Sequence, residues 1–392
     1  MYEITRWYYF DDNYLYDIIN DEPKVLLIGQ WAEEITAVTQ VALEYINTNE
    51  ILGRTWKIIK RENGYLKSDV FQGREYIFDI KAESMQDGIV RSFRIQLLHP
   101  FNHQNEVEVV SYVQNIQKPV HIIVPLTGVL NNAKNIMLVF QQTAKLKEGL
   151  CLTLVLFKKR GIYQQLFDPN IWEYLENFKQ NNKEMCFHMR EINSDYNFFD
   201  GIKQSIEEIE ENNIILTLKD DIEFNSDAIE NCQNLALQNI RVYFPLSFSQ
   251  FNPKNIEDGM PFGKPKNVDK KSFTKFTGYW MHNMHDFICA YSDDLKSILS
   301  KTESLVYEEN PNNIFIEQSE NGDNVYNKFL LANYKVISSV EPGLLRLYNN
   351  INCTNIRNKL DRRKCKIQMM ETSGSKQELN ILYLNENASK LR

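Results

Sequence analysis

The amino-acid sequence predicts an α/β protein, a three-layer sandwich that carries an α+β extension at its amino-terminal end. Strand and helix patterns alternate from about residue 120 to residue 235, which is typical of a parallel sheet covered by helices. The first part of the chain instead has short strand patterns around one helix pattern. With 392 residues, the chain is also longer than one small core requires. We therefore expect an extension over 1–117, an α/β domain over 118–370 and a tail over 371–392.

The extension is expected to contain one amphipathic helix and three short strands. Residues 35–47 repeat apolar side chains at helical spacing, and the strand segments are rich in β-branched and aromatic residues. The three predicted strands cover residues 56–60, 75–80 and 94–98.

The α/β domain is expected to begin with a buried strand and then to alternate. The predicted strands cover residues 121–124, 151–157, 214–218 and 242–245. The predicted helices cover residues 133–147, 171–180, 201–211 and 227–235. Residues 252–271 are rich in Pro, Gly and Lys, which predicts a long exposed loop. Ligands of such sheets bind beyond the carboxyl ends of the strands, so the residues that follow each strand are the candidates for function.

Composition excludes several classes of protein. The net charge is −8 and no basic stripe is present, so we expect no nucleic-acid partner. The longest apolar run, near residues 150–157, is much shorter than the roughly 18 to 20 residues that cross a bilayer. The first residues lack the pattern of a signal peptide. The 20 Tyr and 22 Phe predict an aromatic core, with sugar-stacking surfaces as the alternative.

Cysteines and sequons leave the compartment open. The six cysteines form no CxxC motif, which argues against a zinc knuckle. Cys353 and Cys365 flank a polar basic segment and would close a local disulfide in an oxidising lumen, whereas free thiols would indicate the cytosol. Glycosylation sequons at Asn352 and Asn387 are compatible with a lumen.

Acidic residues follow the predicted strand 214–218, in the sequence ILTLKDDIEF. Side chains alternate along a strand, so Asp221 and Glu223 are expected on one side and would together offer carboxylates to a divalent cation. Lys219 would instead neutralise an anionic ligand without a metal. Surface charges after a buried strand are the simpler alternative. A second possible metal set is His282, His285 and Asp286, if the histidines share a helix face.

Seven short segments together resemble a known family. In their order along the chain, they are similar to the carboxyl-terminal transferase half of the chondroitin N-acetylgalactosaminyltransferases and chondroitin synthases, over about residues 36–370. The segments are NGY (63–65), GREYI (73–77), VHIIVPLTG (120–128), VYFPLSFSQFNP (242–253), GYW (278–280), YNKFL (326–330) and EPGLLRLY (341–348).

This resemblance implies a GT-A type fold and a UDP-sugar donor. It also implies manganese or another divalent cation as cofactor, with transfer of N-acetylgalactosamine or glucuronic acid to a glycosaminoglycan (chondroitin) acceptor. Members of the family reside in the Golgi lumen, and they carry two cysteines at places that correspond to Cys353 and Cys365. We accordingly expect that pair to form a disulfide.

The family's metal-binding Asp-x-Asp motif falls on Lys219, Asp220 and Asp221. The resemblance therefore implies that Asp221 retains its metal role, with Glu223 as a substitute partner, and that Lys219 or Arg346 contacts the diphosphate. Arg346 and Asn349 stand where the family has its metal-binding histidine. An arginine does not ligate manganese but binds phosphate well.

The donor and base segments also depart from the family pattern. The donor segment matches over Pro125 and Thr127, but Val129 replaces the arginine that follows it, and a second arginine position falls near Asp200. The base segment matches QSENGDN, where Glu320 or Asp323 would take the acceptor's proton.

The resemblance leaves two functions open. Tyr279 and Trp280, in the GYW segment, are expected to stack on a sugar ring. With these residues the protein would act as a hexosyltransferase. Because four motifs are altered, the alternative is a catalytically inactive partner or glycan-binding subunit of an active chondroitin synthase.

Overall fold

The computed structural model describes residues 4–16, 22–49, 53–101, 107–114, 118–158, 167–194, 196–253, 272–281, 285–300, 322–349 and 359–375. In the amino-terminal region, helix α1 (Gln30–Thr48) packs its apolar stripe against a meander of long strands. The strands of this region are β1 (Arg6–Phe10), β2 (Tyr14–Tyr16), β3 (Lys24–Leu26), β4 (Trp56–Asp69), β5 (Gly73–Ser84), β6 (Val90–His99) and β7 (Glu108–Gln114). The long strands of the meander are β4, β5 and β6.

The second region alternates strands and helices as expected. Its strands are β8 (Val120–Pro125), β9 (Leu150–Phe157), β10 (Cys186–Ile192), β11 (Ile214–Thr217), β12 (Ile222–Phe224), β13 (Arg241–Gln250), β14 (Gly278–Trp280), β15 (Cys289–Tyr291) and β16 (Lys335–Arg346). Its helices are α2 (Leu130–Ala144), α3 (Ile171–Asn181), α4 (Phe198–Ile206), α5 (Ser226–Leu235), α6 (Ser292–Ser300), α7 (Gly322–Leu331) and α8 (Lys359–Glu371).

One mixed sheet runs through both regions. Its order is β10-β9-β8-β11-β15-β13-β16-β1-β4-β5-β6-β7, in which β8 to β11 are mutually parallel and β15 is antiparallel to β11. Strand β1 pairs in parallel with β16 and antiparallel with β4, so it connects the two regions by backbone hydrogen bonds. The boundary expected at residue 117 is thus crossed by a continuous sheet, and a division into separate folding units stays a prediction.

Helices cover both faces of the parallel strands, which confirms the predicted three-layer sandwich. Apolar side chains of α2, α3 and α5 pack on one face, and those of α4, α6 and α7 pack on the other. The largest fully buried side chains are all aromatic, and Trp7, Trp56 and Tyr243 are among them. The prediction of an aromatic core is therefore confirmed.

Most predicted elements exist, but several bounds differ. The helix predicted over 201–211 ends at Ile206, and the strand predicted over 56–60 continues to Asp69 as half of a long hairpin. The predicted loop lies almost wholly outside the described residues, because 254–271 are not among them. None of the described helices combines the length and apolar character that crossing a membrane requires.

Four cysteines form two disulfides that the sequence analysis did not predict. Cys151 pairs with Cys186 between the neighbouring strands β9 and β10, and Cys232 of α5 pairs with Cys289 of β15. The expected Cys353–Cys365 bond falls outside the described residues, because residue 353 and the side chain of residue 365 are not among them.

Candidate functional site

A tight turn at the carboxyl end of β11 forms the centre of the candidate site. The amide of Leu218 still donates to Ile123 of β8, and Ile222 then donates back to the carbonyl of Lys219 to close the turn. Strand β12 leaves the turn and pairs antiparallel with the end of β16, so that Ile222 lies opposite Arg346. The turn therefore presents residues 219–221 at the edge of the parallel strands, where ligands of such sheets bind.

Asp221 forms an ion pair with Arg346 across this edge. The Arg346 Nε atom donates to Asp221 Oδ2 over 2.8 Å, and its Nη1 lies 3.3 Å from the sulfur of Met281. Burial disfavours the charge of Arg346, but the neighbouring Asp221 outweighs burial and raises the pKa of the guanidinium above its ordinary value. Asp221 is 7% exposed as a residue, and its Oδ1 atom is buried without a hydrogen-bond partner among the described residues.

Asp220 faces the opposite way, toward the loop that follows β8. Both the backbone amide and the hydroxyl of Thr127 donate to Asp220 Oδ2, over 2.8 and 2.6 Å. The carboxyl is 3% exposed, and burial together with the neighbouring Asp221 raises its pKa to about 6 despite the hydrogen bonds of Thr127. Thr127, expected at the donor site, therefore holds the turn in place from the next strand.

Lys219 is paired with Asp286, which precedes β15. Its ammonium group also lies 5.7 Å from the centre of the Phe198 ring, a cation–π distance. The hydroxyl of Thr217 donates to the carbonyl of Asp286 over 2.8 Å, which fixes that segment beside the end of β11. Lys219 is thus bound to an acid that lies directly before the antiparallel strand β15.

Glu223 follows the turn by two residues and belongs to strand β12. It is half-buried in β12, and Asn135 of α2 donates to its Oε1 over 3.5 Å. The edge accordingly holds four carboxylates, those of residues 220, 221, 223 and 286, and two cations, at residues 219 and 346. Fully ionised, these six groups have an excess of two negative charges.

The charge and the unpartnered oxygen fit a divalent cation. Mn²⁺ and Mg²⁺ prefer carboxylate oxygens, and Mg²⁺ commonly takes only one or two from the protein and the rest from phosphates and water. Asp221 Oδ1 offers one such oxygen, and Glu223 offers a second carboxylate from β12, two residues farther along the chain. Within the described part of the chain, no group of three His, Cys, Asp or Glu ligands includes either residue.

The two aromatic residues expected to stack on a sugar differ in their surroundings. Trp280 is 3% exposed, its indole N–H donates to Pro23, and its ring packs against Phe248 and Phe273. It is therefore part of the aromatic core in this structure and presents no face to a sugar. Tyr279 is half-buried beside it and stacks on Phe251 at a ring separation of 5.5 Å.

The remaining expected residues lie beside or beyond the described site. Pro125 is buried at the end of β8 and packs at Gly201, where a Cβ would be 3.2 Å from the proline ring. Glu320 lies outside the described residues, and of Asp323 only the backbone, in α7, is described.

The predicted histidine pair is not tested as a pair. His282 is outside the described residues, and His285 is not in a helix, contrary to the expected shared helix face. The His285 ring instead lies 4.1 Å from the ring of Tyr326.

A buried carboxyl behind the site was missed by the sequence analysis. Glu341 of β16 accepts hydrogen bonds from Asn231, Tyr243 and the amide of Gly343, and burial raises its pKa to about 7. A Cβ at Gly343 would lie 2.4 Å from Asn225 Oδ1, which caps α5, so only glycine permits this approach. The EPG segment thus fixes α5 against β16, and its signal in the sequence was an acid followed by two strand-breaking residues.

Comparison with known proteins gives one chain-wide family match. The family model described as "Chondroitin N-acetylgalactosaminyltransferase" matches residues 1–379. Chondroitin sulfate synthase 3 of Homo sapiens is 21% identical over 98% of this chain and 47% of its own length. Chondroitin sulfate N-acetylgalactosaminyltransferase 2 of Mus musculus is 23% identical over 82% of this chain and 58% of its own. The chain spans about half the length of the curated relatives it matches.

Solved structures of similar shape include a mannosyltransferase from Pyrobaculum calidifontis in complex with GDP-Man and Mn²⁺. It is 10% identical, with a TM-score of 0.38, and the match covers 66% of this chain and 63% of that one. An apo-form glycosyltransferase, GlyE of Streptococcus pneumoniae, is 12% identical with a TM-score of 0.31 and covers 69% of this chain and 64% of its own.

Proposed function

The chain belongs to the chondroitin N-acetylgalactosaminyltransferase family and has a GT-A type α/β fold, and from this premise we propose that it is a hexosyltransferase that binds a UDP-sugar at the edge of β11. The proposed reaction transfers N-acetylgalactosamine or glucuronic acid to a growing chondroitin-type glycosaminoglycan. The observation that carries the proposal is the Asp221–Arg346 pair with its unpartnered Oδ1 atom. In this pair, Asp221 offers an oxygen to a metal ion and Arg346 offers a positive charge to a diphosphate.

In this proposal, each residue at the edge has a separate task. Asp221 Oδ1, assisted by Glu223, would hold manganese or another divalent cation, which when bound stabilises the charge of the departing diphosphate. The guanidinium of Arg346 has donors beyond the Nε used by Asp221 and would contact a phosphate oxygen. Lys219 would exchange its pairing with Asp286 for a phosphate when the donor arrives.

The acceptor side of the reaction requires a base and a sugar platform. Glu320 or Asp323 would remove the proton of the attacking hydroxyl, because inverting transfer needs a carboxylate on the face opposite the leaving group. Tyr279 would supply the apolar face against which a sugar ring packs. Pro125 and Thr127 would border the uridine side, with Thr127 acting through the turn that it holds.

Calorimetry with UDP and UDP-N-acetylgalactosamine tests donor binding directly. We expect affinity that increases when Mn²⁺ is present, and we expect Asp221→Asn to abolish the Mn²⁺ effect. Arg346→Met should weaken UDP binding with or without the metal. Asp87→Asn, at an exposed turn of the amino-terminal sheet, is the matched control and should leave both affinities unchanged. Absence of UDP affinity under all conditions would overturn the proposal.

A transfer assay tests the chemical step separately. With a chondroitin oligosaccharide as acceptor, the chain should release UDP and lengthen the oligosaccharide. Glu320→Gln and Asp323→Asn should identify the base: loss of turnover with unchanged UDP affinity is expected for one of them. If neither variant changes turnover, the base lies elsewhere and this part of the proposal is wrong.

Two observations favour the alternative of an inactive partner subunit. The carboxylate of Asp221 already has a guanidinium on one oxygen, and a lysine replaces the first acid of the family motif. A chain that binds chondroitin oligosaccharide and co-purifies with an active synthase, but has no UDP affinity, would support this second function.

Residence in the Golgi lumen belongs to the same proposal. Two disulfides among the described cysteines support an oxidising compartment. Fluorescence microscopy of the tagged full-length protein against a Golgi marker tests it, and a cytosolic distribution would contradict it.

A further inference from the structure

A cluster of sulfur and imidazole groups lies on the sheet far from the candidate site, near the amino-terminal ends of the parallel strands. Cys151 of β9 is directly opposite Cys186 of β10 in the strand register, and their sulfurs are bonded. His188 follows two residues after Cys186 and therefore points to the same face. Its Nε2 atom is 3.6 Å from the sulfur of Cys186.

At this cluster, the face of the sheet is open to solvent. Helix α4, which covers the same face farther along the strands, ends at Ile206, and the chain beyond it forms one wall of a cavity of about 740 Å³. Cys151, Cys186 and His188 all line that cavity, and an ion would have a path to the three side chains.

The three side chains have the chemistry of a zinc-type site and lie close together. The two sulfurs and the His188 nitrogen lie within 4.8 Å of one another. A tetrahedral Zn²⁺ binds sulfur at about 2.3 Å and nitrogen at about 2.0 Å, which places its ligands roughly 3.5 to 4 Å apart. A disulfide sulfur carries no negative charge, whereas the thiolate is the form of cysteine that binds metals, so the oxidised cluster does not offer thiolate ligands to an ion. Reduction removes this obstacle, and the two sulfurs then separate from bonding distance to the spacing of zinc ligands.

We propose that Cys151, Cys186 and His188 form a redox-gated site for Zn²⁺, closed by the disulfide and opened by its reduction. A dithiol reductant supplies two electrons and two protons and becomes a disulfide itself, leaving both cysteines as thiols. Each thiol then releases its proton to solvent as its sulfur binds the ion as thiolate. His188 contributes a neutral nitrogen, and the fourth position faces the cavity. This site is separate from the proposed donor site and does not depend on it.

Cobalt titration of the full-length chain tests the proposal, with Co²⁺ as a spectroscopic probe for Zn²⁺. The chain is first reduced with a water-soluble phosphine, which leaves as its oxide. We expect a thiolate-to-cobalt absorption band that saturates at one ion per chain and disappears when Zn²⁺ displaces the cobalt. The oxidised chain should give no such band. A band at equal intensity in the oxidised chain would overturn the redox gate.

Variants distinguish this cluster from other ligands in the chain. Cys186→Ser should abolish the band, and His188→Ala, which leaves the disulfide intact, should weaken Co²⁺ binding by at least about tenfold, since even outer partners of metal ligands have effects of that size. Cys289→Ser alters the other described disulfide and should leave the band unchanged. Asp221→Asn should also leave it unchanged, because carboxylates give no thiolate band. No band in the reduced wild type, or a band that survives Cys186→Ser, would refute the proposal.

Discussion

Arg346 and Asp221 connect strand β16 to the turn after β11 through one buried ion pair. The Nε–Oδ2 distance is 2.8 Å, and the amide of Leu347 also donates to the carbonyl of Asp221 over 2.9 Å. The antiparallel pairing of β12 with β16 brings the two side chains together although 125 residues separate them. The proposed cation ligand is thus oriented by a guanidinium from β16.

Removal of Arg346 should destabilise the fold as well as donor binding. Arg346→Met leaves the Asp221 carboxylate buried without its cation, and breaking one partner of a buried pair costs about 3 to 5 kcal/mol. We expect a loss of this size in the free energy of unfolding in urea. Lys158→Met breaks the exposed pair with Glu191 and serves as the control, with an expected change below about 1 kcal/mol.

The double variant Asp221→Asn with Arg346→Met tests whether the stability lost in Arg346→Met comes from the unpaired Asp221 carboxylate. It should recover part of the loss, because no buried charge is left unpaired. Equal losses in the single and double variants would show that Asp221 tolerates the loss of its partner, contrary to this prediction.

Thr127 should hold the turn through its hydroxyl as well as its amide. Thr127→Val keeps the shape but removes the 2.6 Å hydrogen bond to Asp220, and hydrogen bonds to charged groups contribute about 1.5 to 3 kcal/mol. We expect a loss of that size in urea unfolding and a weaker UDP affinity. Thr36→Val, on the exposed side of α1, is the control and should change the free energy of unfolding by less than about 0.5 kcal/mol. An equal effect of both variants would contradict a role for this contact.

Hydrophobic periodicity predicts much of this fold because the parallel strands are buried on both faces. The helix expected over 171–180 is observed over Ile171–Asn181, and β9 is observed at Leu150–Phe157 against an expected 151–157. Strand β10 was missed because it forms the edge of the sheet and three of its seven side chains are polar, those of His188, Arg190 and Glu191.

Strand β16 was missed for a different reason. Its Pro342 and Gly343 argue against a strand, yet the structure accommodates them where the register with β13 shifts between Val340 and Leu345. At this interruption of the strand, Gly343 packs against the start of α5.

The position of the site was predictable, but its pairings were not. The end of β11 and the acids after it follow from the sequence pattern, because strand ends of a parallel sheet meet at one edge. The partners of Lys219 and Asp221 come from segments that only the tertiary pairing of β15 and β16 brings near. No local pattern in the sequence contains that information.

Glu341 should make stability fall as the pH rises toward neutrality. Burial raises its pKa from 4.5 to about 7 in the fold, so the native state binds a proton that the unfolded chain has released. Its contribution is fully present below about pH 4.5 and is lost as the pH passes 7, an effect of about 3 kcal/mol. Asp220, with its pKa raised to about 6, acts in the same direction.

Urea unfolding of the wild type and Glu341→Gln at pH 5 and pH 8 measures the effect of Glu341. The wild type should lose more stability between the two pH values than the variant does, because the amide does not ionise. Asp294→Asn, at a second buried and hydrogen-bonded carboxyl, is the control and should keep the part of the pH dependence that belongs to Glu341. A pH dependence that is identical in wild type and Glu341→Gln would contradict ionisation of this group.

The two described disulfides should differ in how much they stabilise the fold, because one is buried and the other is accessible. They join residues 57 and 35 apart, for which loop-closure entropy alone predicts stabilisations of about 4 kcal/mol each, equal to within roughly 0.5 kcal/mol. Cys232 and Cys289 are fully buried between α5 and β15, whereas Cys151 and Cys186 lie at an accessible face.

We therefore expect Cys232→Ser with Cys289→Ser to lower the free energy of unfolding by more than Cys151→Ser with Cys186→Ser does. The first double variant also buries two hydroxyl groups. Cys232→Ala with Cys289→Ala removes the bond without those hydroxyls and should fall between the two serine variants. Equal losses in all three would mean that the chain constraint accounts for the whole contribution of the buried disulfide.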